Sequence, residues 1–247
     1  MKTRLDKLLV ERGLVQSRER ARAMILAGQV IVDDHRIDKA GAQVDASADI
    51  RMKGQDIPYV SRGGLKLEKA LAHFAIAVQG AVAIDVGAST GGFTDCLLQH
   101  GAKSVYAVDV GYGQLAWRLR ENPAVVNFER CHIKDLDPAR LPELPRLAVI
   151  DASFISLAKI LPWTLSLLTP EADIVALIKP QFEVGRESVG KNGIIKDPDL
   201  HAQVIASIRA LAANLQCVER DLIESPILGA KGNREFLIHL QKQTLKK

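Results

Sequence analysis

The segment Ala83-Ile84-Asp85-Val86-Gly87-Ala88-Ser89-Thr90-Gly91-Gly92-Phe93-Thr94 constrains this chain more than any other. An apolar run with strand character enters a glycine-rich turn, and the turn opens directly into a helical pattern. Glycines let a ligand approach the backbone closely, and the first N–H groups of the helix stay free to bind it. Further apolar runs follow at residues 104–108, 125–129, 147–150 and 173–178, with helical stretches between them at 92–99, 155–168 and 199–215. An amphipathic helix is expected over residues 65–74. The alternation predicts an α/β architecture, a doubly wound sheet with helices on both faces. Two last extended runs, 217–225 and 234–239, have no helix between them and predict a hairpin at the sheet edge.

The glycine turn also narrows the ligand. Asp109 ends the next strand, 24 residues after Asp85, where a carboxylate would hydrogen-bond ribose hydroxyls. The spacing departs from the dinucleotide pattern G-x-G-x-x-G, because Gly87 is followed four residues later by Gly91 and Gly92. An acidic residue just before the first glycine suits a cationic amino-acid ligand better than a pyrophosphate. These features point to S-adenosylmethionine, with a nicotinamide oxidoreductase as a rival. Asp85, Gly87, Ala88, Ser89, Thr90, Gly91, Gly92, Phe93 and Asp109 are the candidate cofactor residues. Asp135, after the third strand, reads either as an adenine contact or as an ordinary loop carboxylate.

Four charged residues recur at strand ends or on the helix flanking the sheet: Lys66, Asp151, Lys179 and Glu235. Asp151 and Lys179 directly follow apolar runs, so both should project at the carboxyl edge of the sheet. Two lysines and two carboxylates around one cleft suit removal of a proton from an alcohol. A free lysine, with a pKa near ~10.4, is a poor base, but a neighbouring ammonium and partial burial lower that value. Amino-directed methyl transfer is disfavoured, since Asp151-Ala152-Ser153-Phe154 lacks the prolines that shape a pocket for a flipped base. None of Cys96, Cys131 and Cys217 stands where a nucleophilic cysteine would for cytosine-C5 chemistry. The remaining acceptor is a hydroxyl, and ribose 2′-OH is the natural one beside an RNA-binding arm.

That arm is visible in the charge. The chain has 247 residues and a net charge of +4, and its 47% hydrophobic content excludes a disordered chain. Residues 1–30 hold seven basic and three acidic side chains, whereas the other 217 residues hold 26 of each sign. All of the excess positive charge lies in the N-terminal segment. Two short helices are expected there, the second capped by Ser17 with Arg18, Arg20 and Arg22 fanning outward. A hairpin around Asp34-His35 and an extended piece at 44–52 complete a small unit. Residues 1–53 form this unit, 54–60 a linker and 61–247 the α/β domain. Arg4, Lys7, Arg18, Arg20, Arg22 and Arg62 are the candidate RNA contacts, gripping phosphates by counterion release. Residues 184–193, with Arg186 and Lys191, read as a lid facing RNA or as a plain loop.

Three scattered cysteines carry no disulfide framework and no metal-ligand spacing, so a reducing cytoplasm and a metal-free protein are expected. The longest uncharged run, 70–84, falls short of the ~20 apolar residues of a membrane span.

On these motifs the chain resembles a known family. Residues 4–50 resemble the S4-type RNA-binding domain, and residues 59–240 resemble the FtsJ-like (RrmJ-like) 2′-O-methyltransferase fold. The two in this order resemble the hemolysin-A-like (TlyA) family of rRNA methyltransferases. The resemblance implies a Rossmann-like, seven-stranded, S-adenosylmethionine-dependent methyltransferase sheet preceded by a small α+β unit. It also implies a Lys-Asp-Lys-Glu tetrad, whose roles fall on Lys66, Asp151, Lys179 and Glu235, and cytidine 2′-OH groups of ribosomal RNA or ribosomal subunits as substrate. A non-catalytic RNA-binding assembly factor and a membrane-lytic protein are the competing readings.

Overall fold

The computed structural model describes residues 2–15, 17–52, 57–185, 193–229 and 232–243. The chain divides into two compact units, Met1–Pro58 and Tyr59–Lys247. In the first, strand β1 (Lys2–Arg4) leads straight into helix α1 (Leu5–Glu11), and helix α2 (Arg18–Leu26) follows. Leu5, Leu8 and Leu9 on α1 meet Ala21, Met24 and Ile25 on α2 in one buried cluster, as spacings of three and four residues dictate. Ser17 Oγ accepts the N–H of Arg20 at 3.2 Å and caps α2. Strands β2 (Val30–Val32) and β3 (His35–Arg36) form a hairpin as expected, but its turn lies one residue earlier than Asp34-His35, with His35 already in the strand. Its turn residues Asp33 and Asp34 have φ of 47° and 66°, the left-handed pair that matches the twist of tightly joined strands.

Two further expectations for this unit are corrected. The extended piece at 44–52 is two strands, β4 (Gln43–Asp45) pairing with β1 and β5 (Ile50–Met52) pairing with β2. The Asp45 carboxylate accepts both the N–H and the hydroxyl of Ser47, at 3.0 and 2.7 Å, and this turn ends the strand. Residues 2–4, which carry no strand signal of their own, become a strand by pairing with β4.

The second unit begins earlier than composition suggests. Tyr59 is buried and its hydroxyl donates to Glu68 at 2.8 Å, while the N–H of Val60 donates to Asp95 at 2.8 Å. Sequence composition groups both residues with the linker; packing places them in the second unit, and 54–56 lie outside the described residues. The unit then runs α3 (Gly63–His73), β6 (Val82–Val86), α4 (Gly92–Gln99), β7 (Ser104–Val108), α5 (Trp117–Arg120), β8 (Val125–Phe128) and β9 (Leu147–Ile150). It continues with α6 (Leu161–Ser166), β10 (Asp173–Ile178), α7 (Pro180–Glu183), α8 (Pro198–Asn214), β11 (Cys217–Glu224) and β12 (Phe236–Lys242). Helix α6 is shorter than the 155–168 predicted. Pro162 sits in its first turn, where the missing N–H is harmless, and cannot extend a helix arriving from before.

The strands form one seven-stranded sheet in the order β11-β12-β10-β9-β6-β7-β8. β10, β9, β6, β7 and β8 are parallel, and β12 runs antiparallel between β10 and β11. Alternation along each strand builds two cores. Val82, Ile84 and Val86 pack with Leu161, Val204 and Ile208 on one face, and Ala83 packs with Leu67, Leu71 and Leu97 on the other. From β6 the chain first winds outward through β7 and β8, then returns to the other side of β6 as β9. The strand order therefore reverses beside β6, which is where ligands bind in open sheets of this kind.

Candidate active site

Two adjoining cavities open at that reversal. One, of about 430 Å³, is lined by residues that include Lys66, Asp151, Lys179 and Glu235. The other, of about 520 Å³, is lined by residues that include Val108, Asp109, Ile133, Ile155 and Ile160. Gly87, Ser89, Asp151, Ser153 and Phe154 border both. Gly87 has φ +86°, and a Cβ there would lie 2.9 Å from the Cα of Ala152. Only glycine lets the turn after β6 pass this close to the chain leaving β9.

All four residues proposed for proton removal reach the first cavity, from four different elements. Lys66 stands on α3, Asp151 follows β9, Lys179 follows β10, and Glu235 precedes β12. They are joined as two ion pairs: Lys66 Nζ lies 2.6 Å from Glu235 Oε2, and Lys179 Nζ lies 2.6 Å from Asp151 Oδ1. Lys66, Lys179 and Glu235 are 8%, 7% and 2% exposed, so these charges sit largely out of water and depend on each other. Lys179 Nζ also donates to Ser153 Oγ at 2.8 Å. Sequence reasoning overlooked Ser153, although it stands two residues after Asp151.

On the cofactor side, Asp109 accepts the N–H of Ser89 and that of Gly111, each at 2.7 Å, and so ties the glycine turn to the end of β7. Asp85 is fully buried. Its Oδ2 accepts the N–H and the hydroxyl of Thr94 at 2.9 and 2.6 Å, while its Oδ1 has no hydrogen-bond partner among the described residues. Burial, and then the nearby charges of Asp151 and Asp109, push the Asp85 carboxyl up to about 7 against the lowering effect of Thr94. Asp85 borders neither cavity, but its uncommitted buried oxygen, near the two further carboxylates of Asp151 and Asp109, favours a cation beyond the glycine turn. Gly87, Ala88, Ser89, Thr90, Gly92 and Phe93 border the first cavity, and Gly91, with φ +97°, starts α4 from behind it. Asp135 is exposed and borders neither cavity; its neighbours Cys131, His132 and Ile133 line the second.

Phe154 gave no signal in the sequence. It is 89% exposed at the rim shared by both cavities, with φ of 65° and its ring 5.0 Å from that of Phe182. A bulky side chain in the left-handed region is uncommon, and here it is held outward at the cavity rim. Arg62 is exposed and borders the first cavity.

The arginines of the first unit do not simply fan outward. Arg4, Arg18 and Arg22 turn back onto Asp6, at 3.0, 3.1 and 3.2 Å, and Lys7 pairs with Glu11 at 3.2 Å. Arg20 lies between Arg18 and Arg22 on α2. Arg186 and Lys191, in the segment expected to be a lid or loop, lie outside the described residues. Among the described residues, no group of three or more His, Cys, Asp or Glu is arranged to hold a metal ion, and no helix is long and apolar enough to cross a membrane.

The sheet order, the glycine turn at its reversal and the carboxylates around it define a Rossmann-like, S-adenosylmethionine-dependent methyltransferase. The chain belongs to the FtsJ-like methyltransferase family, whose model matches residues 59–242, and an S4 domain matches residues 3–50. The 16S/23S rRNA (cytidine-2′-O)-methyltransferase TlyA of Mycobacterium tuberculosis is 44% identical, over 98% of this chain and 91% of its own length. Hemolysin A of Brachyspira hyodysenteriae is 43% identical, over 96% of this chain and 98% of its own length. A solved structure of a hemolysin-named protein from Streptococcus thermophilus matches with a TM-score of 0.78 at 46% identity, covering 98% of this chain and 89% of the other.

Proposed function

We propose that this chain methylates the 2′-hydroxyl of a cytidine ribose in ribosomal RNA, acting on RNA or ribosomal subunits in the cytoplasm. The observation that carries the reading is the meeting of two largely shielded lysine–carboxylate pairs in one cavity beside the glycine turn. The name borne by the mycobacterial relative supports the choice of substrate.

Asp109 would hold the ribose hydroxyls of S-adenosylmethionine, the apolar wall of the second cavity its adenine, and the glycine turn with Asp85 its cationic amino-acid end. When bound, the cofactor supplies a methyl group already activated on a sulfonium. Lys179 is held from two sides, by Asp151 and by Ser153, so its Nζ has one fixed direction in which to meet the hydroxyl. Its Nζ would steer the 2′-oxygen toward the methyl carbon, and the Lys179–Asp151 pair would take up the proton that the hydroxyl gives up. Lys66 and Glu235 line the same cavity and would hold the substrate ribose. Proximity supplies much of the rate, because the donor needs no further activation. The exposed face of Phe154 offers a stacking surface for the base of the target nucleotide, and Arg62 a phosphate contact.

Mass-spectrometric mapping of ribose methylation, in rRNA from cells with and without the protein, tests the reading. A methylated cytidine should be lost with the protein and restored by the wild-type chain but not by Lys179→Ala. Identical maps in all strains would overturn it.

A further inference from the structure

Asp6 stands in the first turn of α1 with its side chain wholly shielded from solvent, and three guanidinium groups converge on it. Arg4 gives it two N–H groups, from Nε to Oδ1 and from Nη2 to Oδ2, both at 3.0 Å. Arg18 adds Nη2 at 3.1 Å and Arg22 adds Nε at 3.2 Å, both to Oδ2. The bidentate fork of Arg4 already neutralises one carboxylate. That pair ties β1 to α1, and a single arginine from α2 would extend the clamp to the second helix. Arg18 and Arg22 therefore bring charge in excess of what Asp6 requires, and they leave it accessible: the three arginine side chains are 43%, 47% and 51% exposed. Three cations this close would splay apart without the shared anion. Arg18 spends only one N–H and Arg22 only one on Asp6, so the rest of each planar donor fork remains for an oxyanion.

We infer that Asp6 is a positioning residue, which holds Arg4, Arg18 and Arg22 as one preformed receptor for the phosphate groups of RNA. The inference rests on the reading of this unit as RNA-binding and extends it to a residue of the wrong charge. Preorganising the three forks removes side-chain ordering that binding would otherwise have to supply. The consequence is counterintuitive, since deleting a negative charge from a phosphate-binding face weakens the grip.

The test measures binding of the full-length protein to purified rRNA across a salt series. Arg18→Ala/Arg22→Ala should weaken binding on the order of tenfold or more and reduce the salt slope by about 1.5, two phosphate contacts fewer. If that variant binds like the wild type, the RNA-binding reading of the unit fails and the inference falls with it. Asp6→Asn should also weaken binding and flatten the slope, and Asp6→Glu should recover part of the loss. If Asp6→Asn binds as tightly as wild type or more tightly, with a steeper slope, the arginines act as diffuse charge; the inference is then overturned while the reading stands. Hydrogen exchange across α1 and α2 reports whether Asp6→Asn keeps the unit folded. Should it unfold, Arg18→Lys/Arg22→Lys, which preserves charge but loses the forks, decides: weaker binding supports the inference and unchanged binding overturns it.

Discussion

The two functional regions use the same contact, a carboxylate against a cation, in opposite stoichiometries. In the candidate catalytic cavity each lysine has its own carboxylate, and Lys66, Lys179 and Glu235 are nearly excluded from water. Around Asp6 one buried carboxylate serves three arginines that remain about half exposed. The first arrangement cancels charge and fixes atoms, which suits proton movement at one position. The second leaves charge over and displays it, which suits a polyanion. An ion pair is thus no functional signal until its burial and its counting are known.

Breaking the buried side should cost most. Lys179→Ala is expected to lower methyl transfer by about 10³-fold, the range of a positioned proton acceptor. Calorimetry with S-adenosylmethionine should show little change. Lys66→Met leaves Glu235 buried and unpaired, so thermal or urea unfolding should reveal a loss of about 3–5 kcal/mol. The double variant Lys66→Met/Glu235→Gln should regain most of that stability and none of the activity; a double variant as unstable as the single one would argue against mutual dependence of the pair. Phe154→Ala removes a ring that packs against little, so folding should be unaffected. Loss of base stacking worth about 1–3 kcal/mol should raise KM for rRNA roughly tenfold or more while sparing cofactor affinity.

The smallest effect is a pH dependence at Asp85. Its carboxyl titrates at about 7 in the folded chain and near ~4 when unfolded, so the folded state holds the extra proton between those values. Stability of the cofactor-free chain should therefore be greatest near and below pH ~4 on this account, and fall as pH rises toward about 7. The ionised form favours a cation, so affinity for S-adenosylmethionine should rise roughly tenfold from about pH 6 to about pH 8. Asp85→Asn should abolish that rise. Asp6 runs the other way: hydrogen bonds from Arg4, then those of Arg18 and Arg22, hold its carboxyl well below the usual range. Its contribution to the first unit is present above pH ~4 and is lost as pH falls further, a difference between the units that circular dichroism and hydrogen exchange can resolve.

Much of the fold was legible because its periodicities are local. The near-continuous apolar run along 82–86 signals a strand buried on both faces, and Gly92–Gln99 reads as a helix from its own spacing. The misread elements are those that borrow their structure. Lys2–Arg4 is a strand only because Gln43–Asp45 lies beside it, and Tyr59-Val60 belongs to the second unit only because Glu68 and Asp95 accept from it. In the site, Lys66, Asp151, Lys179 and Glu235 were legible from their places after strands or within motifs. Ser153 and Phe154 were not, since a serine and a phenylalanine after a strand look like any loop until one is seen to hold Lys179 and the other to stand in solvent.

From order and spacing alone follow the two units, the seven strands, the glycine turn and the residue types available for chemistry, because propensity and hydrophobic period act over a few residues. Which lysine meets which carboxylate follows only from the folded sheet, since Lys66 and Glu235 are 169 residues apart and come within 2.6 Å by way of α3 and the start of β12. The same holds for the +4. Sequence places that charge in the first thirty residues, and the tertiary structure gathers three of its arginines around Asp6, because only a buried anion can hold like charges together.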